Sequence, residues 1–316
     1  MFTGLLSGVL WALDTVILGI ALAMTPFENA AMLAPIISTF LHDLFSSIWM
    51  LIYMGVNKQY SNVIKALKTR SGKFIVLAAL LGGPIGMSGY VAAIKYIGPA
   101  YTAIISAMFP GLGAFLSYIF LKEKMRPIQI GGLVLSIVGV IIMGYTADDS
   151  VQITNALLGF GCAILACVGW ASEAVICAYG FKDPNITDEQ ALQIRQSTSA
   201  IFYGIAILTA MKAWPSTAEV AFTKASGIVL LSALFGTASY LFYYKAIAKI
   251  GASKAMALNI TYSAWSIIFA LIILQTIPDI KSILCGIIIV LGSIIAASDL
   301  IPFTKPQKKS AGTPAS

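Results

Sequence analysis

The pattern Trp-x-x-acid occurs twice in this chain, from Trp11 to Asp14 and from Trp170 to Glu173, each time in the middle of an apolar run. Residues three positions apart share a face of a helix, so the indole and the carboxylate can contact the same small molecule. A carboxylate inside a membrane is costly and is, by default, a functional group that faces a cavity. Aromatic rings hold quaternary ammonium cations against their faces. The pattern therefore indicates a binding site for an organic cation.

Further aromatic and polar residues extend this predicted site. The rings of Tyr240, Tyr243 and Tyr262 are expected to form an aromatic cage with the two tryptophans, and Tyr90 and Asn259 complete the set of substrate-binding candidates. Three or four rings and one carboxylate give a gross binding energy of about 5 to 9 kcal/mol, at about 1 to 2 kcal/mol per desolvated ring. After the costs of binding, this corresponds to an affinity between roughly millimolar and micromolar.

Structural roles compete with these functional ones. Asp14 and Glu173 can instead form internal hydrogen bonds with neighbouring helices. A tryptophan or tyrosine in a membrane helix is commonly a packing residue or an interfacial anchor. Tyr244 follows Tyr243 and faces about 100° away from it, so one of the two is expected to contact lipid or another helix.

Four ionisable residues are candidates for proton coupling. Asp14 and Glu173 need not share a role, because one can bind the substrate while the other exchanges a proton. His42, the single histidine, and Asp43 lie in the middle of the second predicted helix, and imidazole titrates near neutral pH. The side chains of consecutive residues in a helix point in different directions, so His42 and Asp43 are not expected to contact the same ligand. A structural pair bonded to other helices is the alternative.

The composition is that of an integral membrane protein. Of 316 residues, 59% are hydrophobic and 10% are charged, against about 25% charged in soluble domains. Runs of roughly 20 apolar residues predict an all-α membrane protein with ten transmembrane helices, at residues 4–24, 30–55, 74–95, 100–121, 128–146, 155–180, 196–213, 227–248, 253–276 and 281–299. No basic residue precedes the first run and Asp14 interrupts it, so we expect it to stay in the mature protein.

The distribution of positive charge predicts the orientation. With a cytoplasmic N-terminus, 16 of the 20 lysines and arginines lie on the inner side, Arg195 among them in a loop, as the positive-inside rule requires. Both termini are therefore expected in the cytoplasm, with the lipid bilayer as a partner. The net charge of +7 reflects this orientation and does not indicate a nucleic-acid partner.

The four cysteines lie in predicted spans and are expected to be free thiols.

The two halves of the chain repeat one another. Residues 93–100 match residues 246–253 at an offset of 153, and the two Trp-x-x-acid motifs match at an offset of 159. At the offset of 153, Tyr90 also falls on Tyr243, Ser106 on Asn259 and Phe109 on Tyr262. With five helices per half, the second half must enter the membrane in the opposite direction, as in the inverted repeats of secondary transporters, whose substrate sites lie near the midplane. We expect a first repeat at 1–150, a second, inverted repeat at 151–301 and a disordered cytoplasmic tail at 302–316.

The chain resembles the drug/metabolite transporter superfamily, in its ten-helix EamA-type branch. The resemblance rests on the ten-helix layout, on the turns at 96–100 and 249–253 after helices 3 and 8, and on Leu121-Lys122-Glu123-Lys124 after helix 4, and it covers residues 1–300. Gln275-Thr276 departs from the pattern, since an acidic residue often follows helix 9. The paired tryptophan and acid positions are most similar to the bacterial choline permeases of the Lic type. The resemblance implies a transporter of the bacterial cytoplasmic membrane that carries choline or a similar quaternary ammonium.

Other classes of function fit less well. The sequence has no Ser/His/Asp, Cys/His or zinc-ligand spacing and no phosphate-binding loop, so we expect neither an enzyme nor a metal or cofactor site. Asp14 and Glu173 could serve an intramembrane aspartyl enzyme, but the sequence lacks the second motif that such enzymes usually have. The sequence also lacks the stripe of polar residues that would line the pore of a channel. We therefore predict alternating-access transport of a choline-like cation, with proton-coupled uptake as one form. The alternative is an exporter of lipophilic cations or amino-acid-like metabolites, and the oligomeric state is left open.

Overall fold

The computed structural model describes residues 1–30, 33–106, 108–144, 155–183, 185–275 and 277–298, and every regular element in these ranges is helical. The α-helices are α1 (Phe2–Leu22), α2 (Ala34–Val56), α3 (Tyr60–Lys68), α4 (Arg70–Leu80), α5 (Gly86–Ser106), α6 (Phe109–Leu116), α7 (Pro127–Gly144), α8 (Ala156–Gly180), α9 (Asp188–Phe202), α10 (Trp214–Ala221), α11 (Lys224–Ile250), α12 (Ala252–Asn259), α13 (Tyr262–Leu274) and α14 (Ile280–Ala297). Three π-helical segments, Leu81–Ile85, Ser117–Leu121 and Tyr203–Leu208, continue α4, α6 and α9. The predicted boundary at residue 150 and the predicted tail at 302–316 lie outside the described residues.

Within the described part of the chain, seven helical segments are long and apolar enough to cross a membrane. They are Phe2–Leu22, Ala34–Val56, Arg70–Ala93, Ala156–Gly180, Lys224–Ile250, Ala252–Leu274 and Ile280–Ala297, and two shorter apolar segments are Phe109–Leu121 and Pro127–Ile142. About 20 helical residues match the roughly 30 Å thickness of the hydrocarbon core. The predicted all-helical membrane fold is confirmed, and the count of ten transmembrane helices stays a prediction.

Helix α9 differs from the predicted span at 196–213. It begins at Asp188 because a capping box closes its N-terminus: the Gln190 N–H donates to Thr187 Oγ1, and the Thr187 N–H donates to Gln190 Oε1. Arg195, which we had assigned to a cytoplasmic loop, therefore lies about two turns inside a helix and is 3% exposed. Several glutamine and serine side chains of α9 are buried as well, which explains why an apolar run did not mark the start of this helix.

The two predicted turns at the repeat positions differ in the structure. Gly251 separates α11 from α12 with a φ of +86°, a conformation that glycine adopts readily. The matching turn at 96–100 is absent from the described structure, because α5 continues through these residues to Ser106. The predicted spans 74–95 and 100–121 left the glycine and proline there between two helices. A helix inside a membrane, however, is favoured by keeping its backbone groups internally bonded.

Glu123, in the Leu-Lys-Glu-Lys motif, stabilises the turn between α11 and α12. Its Oε1 accepts a hydrogen bond from the Ala252 N–H at 3.1 Å, and its Oε2 accepts from the Ser253 N–H at 3.2 Å and the Ser253 hydroxyl at 2.8 Å. The first N–H groups of a helix have no partner within the helix, and negative charge is favourable there. The motif thus connects the first half of the chain to the start of α12.

The helices pack across the two halves in matching ways. Helix α1 packs against α11 and α13, and α8 packs against α5 and α6, while α2 contacts α9 and α7 contacts α14. A glycine permits one of the close approaches, since a Cβ added at Gly8 would overlap the Thr261 hydroxyl. This packing places the two helices that carry the Trp-x-x-acid motifs beside the helices that carry the predicted tyrosines.

Candidate functional site

A cavity of about 90 Å³ lies between helices of both halves, with room for several water molecules, since one needs roughly 10–15 Å³. It is lined by Trp11, Met87, Phe109, Trp170, Glu173, Ser239, Tyr240, Tyr243, Asn259 and Tyr262. Three pairs among these residues are repeat equivalents: Trp11 and Trp170 at the offset of 159, and Met87 with Tyr240 and Phe109 with Tyr262 at 153. Corresponding positions of the two halves therefore build much of the cavity wall.

One group of lining rings comes from α1 and α11. The ring centroids of Trp11 and Tyr240 lie 5.3 Å apart in an edge-to-face arrangement, and those of Tyr240 and Tyr243 lie 6.2 Å apart in the same arrangement. Contacts of this kind contribute roughly 0.5–1.5 kcal/mol each beyond the burial of the rings. They hold the three rings in fixed orientations at the cavity.

A second group of rings surrounds Trp170 on α8. Phe109 contacts Trp170 edge to face at 6.0 Å between centroids, and Tyr90 lies 5.4 Å from it at an interplanar angle of 42°. Tyr90, a predicted substrate-binding residue, is not among the lining residues but packs against Trp170, which is. Phe109 and Met87 line the cavity without having been predicted to, although Phe109 is the repeat equivalent of Tyr262.

The remaining predicted polar and aromatic residues reach the cavity from α11, α12 and α13. Asn259 donates to Ser7 Oγ at 3.2 Å, which ties α12 to α1. Of the two adjacent tyrosines, Tyr243 lines the cavity, whereas Tyr244 is buried beside Phe181, with ring centroids 5.7 Å apart. One of these two tyrosines was expected to contact lipid or another part of the protein, and Tyr244 contacts another part of the protein.

Glu173 is the carboxylate of the cavity, and protein groups contact both of its oxygens. Oε1 accepts hydrogen bonds from Arg195 Nε at 3.0 Å and from the Tyr244 hydroxyl at 2.9 Å. Oε2 packs against Gly82, where an added Cβ would overlap it. Glu173 can therefore supply negative charge to the cavity, but its Oε1 already has two hydrogen-bond donors.

Arg195 is the charged residue beside the cavity that the sequence prediction did not include among its site residues. Its Nη2 donates to the Tyr240 hydroxyl at 3.1 Å, and its guanidinium carbon lies 4.6 Å from the centroid of the Tyr240 ring, within the range of a cation–π contact. Arg195 follows His42 by 153 residues. The repeat therefore contained a signal for this position, since His42 was already a candidate.

Asp14, by contrast, is not among the residues that line the cavity. Its Oδ1 lies 3.1 Å from His42 Nε2, and the Ser232 hydroxyl donates to the same carboxylate. A Cβ added at Gly236 would lie 2.6 Å from His42 Nε2, so this pair is closely packed against α11. The internal hydrogen bond to a neighbouring helix, given above as the structural alternative for Asp14, is the arrangement found here.

His42 and Asp43 link the two acids into one network. His42 Nδ1 lies 3.8 Å from Asp43 Oδ1, which accepts a hydrogen bond from Arg195 Nη1 at 3.2 Å. We call Asp14, His42, Asp43, Arg195 and Glu173 the buried charge chain, because the five residues form a continuous series and are only 2% to 7% exposed. Its three acidic residues outnumber its two basic residues, so its formal charge is negative even when His42 is counted as a cation.

Comparison with known proteins agrees with this architecture. Residues 1–145 and 157–298 match the EamA-like transporter family. Protein LicB of Haemophilus influenzae is 32% identical over 267 residues, which cover 84% of this chain and 85% of LicB. An uncharacterized transporter of Clostridium kluyveri is 21% identical over 231 residues, covering 70% of this chain and 71% of the relative. One protein crystal structure has a TM-score of 0.71 over 93% of this chain and 96% of its own, at 14% identity, which shows a shared fold alone.

Proposed function

Because the chain belongs to the EamA-like transporter family, it is a multi-pass membrane transporter, and we propose that it moves choline or another quaternary ammonium. The observation that carries this proposal is the cavity, whose wall contains six aromatic rings and one carboxylate, Glu173. A quaternary ammonium has no N–H to donate, so ring faces and a nearby negative charge are the groups that recognise it. The resemblance to the Lic-type choline permeases supports the same substrate class.

The charge of the site supports a cation over an anion. The buried charge chain ends at Glu173 in the cavity wall, and it contains three acidic residues against two basic ones. Charge inside a membrane is strongly disfavoured unless it is balanced. A bound monovalent cation would reduce this imbalance, whereas a substrate with a net negative charge would increase it.

The position of the cavity between the two halves supports transport by alternating access. In secondary transporters of repeat design, one repeat moves against the other around a site between them, and here the lining residues come from both halves.

The burial of Arg195 in α9 means that this residue no longer counts among the basic residues of the inner loops. That leaves 15 of the other 19 basic residues on the inner side, so the charge bias still favours cytoplasmic termini.

A proteoliposome experiment tests the proposed function. Purified protein is reconstituted into vesicles with an inside-negative potential, and uptake of radiolabelled choline is followed with and without a pH gradient. We expect saturable uptake that excess tetramethylammonium inhibits and that protein-free vesicles lack. A dependence on the pH gradient would support proton coupling through the buried charge chain. Absence of choline uptake under every gradient would contradict the proposal.

Export of lipophilic cations is a second candidate, favoured by the apolar side chains of Met87 and Phe109 in the cavity wall. The same rings would bind such a cation, so the candidates differ in ligand size and in direction. Inverted vesicles that accumulate a lipophilic fluorescent cation, together with no choline uptake in right-side-out vesicles, would favour the exporter. Amino-acid-like metabolites fit less well, because their own carboxylate would face Glu173.

A further inference from the structure

We propose that Arg195 is a specificity-determining residue, which disfavours compact, hydrogen-bond-donating amines by occupying the acceptor oxygen of Glu173. The inference rests on the proposed function, because it concerns which cation the same cavity prefers. It assigns Arg195 a role in selectivity beyond its role in packing. Arg195 acts through Glu173 and Tyr240 and is not itself among the residues that line the cavity.

The geometry of Glu173 is the first observation. Among the described residues that line the cavity, Glu173 is the one carboxylate. Its Oε1 already accepts from Arg195 Nε at 3.0 Å and from the Tyr244 hydroxyl at 2.9 Å, and its Oε2 packs against Gly82. An ammonium group in the cavity would have to displace one of these donors to form a charged hydrogen bond with Oε1, and Gly82 shields one side of Oε2.

The anchoring of Arg195 is the second observation. Its Nη1 donates to Gln196 Oε1 at 2.8 Å and to Asp43 Oδ1 at 3.2 Å, and its Nη2 donates to the Tyr240 hydroxyl at 3.1 Å. A guanidinium is planar and rigid, so bonds on all three of its nitrogens fix the direction of Nε. Arg195 is therefore held in place at Glu173 and is not easily displaced by a substrate.

The hydrogen bonds of Glu173 affect the binding of primary and quaternary ammonium groups differently. A primary ammonium leaves strong hydrogen bonds to water behind, and each donor that stays unpaired in a buried site is costly. A quaternary ammonium has no such donors and needs only ring faces and a nearby charge. With Oε1 occupied by two donors and Oε2 packed against Gly82, the cavity suits a quaternary ammonium better than a primary ammonium.

The test measures equilibrium affinity for two ligands that differ in methylation, choline and ethanolamine, by isothermal titration calorimetry at pH 8. In Arg195→Gln, we expect the ratio of the ethanolamine Kd to the choline Kd to fall by about tenfold or more, since a charged hydrogen bond becomes available. Arg195→Lys, which keeps the charge but not the fork, should lie between this variant and the wild type. The double variant Arg195→Gln/Glu173→Gln should regain the wild-type ratio, because the freed acceptor is no longer charged.

Two further variants keep the test decisive. Arg70→Gln makes the same change at an exposed arginine of α4 and should leave both affinities unchanged. Arg195→Lys replaces Arg195→Gln if that variant fails to fold. Tyr244→Phe removes the other donor to Oε1 without changing charge and should also lower the ratio, by about threefold. An unchanged ratio in a folded variant that still binds choline would overturn the role of Arg195 and leave the proposed function standing. Wild-type protein that binds neither ligand would instead contradict the proposed function.

Discussion

Arg195 occupies in the second half of the chain the position that His42 occupies in the first, and each side chain pairs with the acid of its own Trp-x-x-acid motif. The two contacts are nearly equal, at 3.0 Å from Arg195 Nε to Glu173 Oε1 and 3.1 Å from His42 Nε2 to Asp14 Oδ1. The halves differ in chemistry, because a guanidinium is a permanent cation with a planar fork of donors, whereas an imidazole ring can be neutral or charged. They also differ in place, because Glu173 lines the cavity and Asp14 does not.

The first prediction concerns the two indoles. Trp11→Leu and Trp170→Leu should each weaken choline binding by about 1 to 2 kcal/mol, or roughly 5- to 30-fold in Kd, because each removes one ring from the cavity. Phenylalanine at either position should be milder. Trp214→Leu, at a half-exposed tryptophan of α10 that does not line the cavity, is the matched control. Equal affinities in all of these variants, measured by titration calorimetry, would reduce the indoles to packing residues.

The second prediction separates the two acids. Glu173→Gln should weaken choline binding by about tenfold or more, because it removes the carboxylate at the cavity wall. Asp14→Asn should change the Kd by less than about threefold, because Asp14 bonds to His42 and Ser232 and does not line the cavity. Its effect is expected instead on accumulation in proteoliposomes. Glu219→Gln, at an exposed glutamate of α10, controls for the substitution itself. A larger loss of affinity in Asp14→Asn than in Glu173→Gln would reverse the assignment.

Some residues of the site could be predicted from the sequence and others could not. Trp11, Trp170, Tyr243 and Tyr262 were found because aromatic residues at repeated positions leave a pattern in the chain. Arg195 was missed because α9 is polar on its buried side, so an apolar run could not mark the start of the helix. The location of Asp14 could not be predicted either, since burial against His42 and burial against a ligand give the same local sequence. Whether α5 breaks at residues 96–100 depends on its packing within the membrane, which glycine and proline alone do not decide.

The third prediction concerns the space beside Glu173. In Gly82→Ala, the added Cβ would overlap Glu173 Oε2, so we expect a destabilisation of about 1–3 kcal/mol from overpacking and weaker choline binding. Gly161→Ala is the matched control, because a Cβ there meets nothing within 4 Å. It should be neutral or stabilise the protein by about 0.5–1 kcal/mol. Thermal unfolding in detergent compares the two variants, and equal midpoints would show that Gly82 is not needed for the position of Glu173.

The fourth prediction concerns Glu123. Glu123→Ala removes the side chain that accepts three hydrogen bonds at the start of α12, so the thermal midpoint should fall by an amount that corresponds to about 0.5–2 kcal/mol, the usual cost of losing a helix cap. Glu219→Ala should leave the midpoint unchanged. If the two variants unfold alike, the Leu-Lys-Glu-Lys motif does not stabilise this turn.

The most direct test of the central claim is the order in which the wild-type protein binds methylated amines, measured by titration calorimetry against one protein preparation. A cavity that recognises its ligand by ring faces favours a dispersed, weakly hydrated charge, whereas a free carboxylate would favour compact ammonium groups that donate hydrogen bonds. We therefore predict that choline binds more tightly than dimethylethanolamine, and that ethanolamine binds most weakly. The reverse order, or binding of neutral amino acids without binding of any methylated amine, would contradict the account.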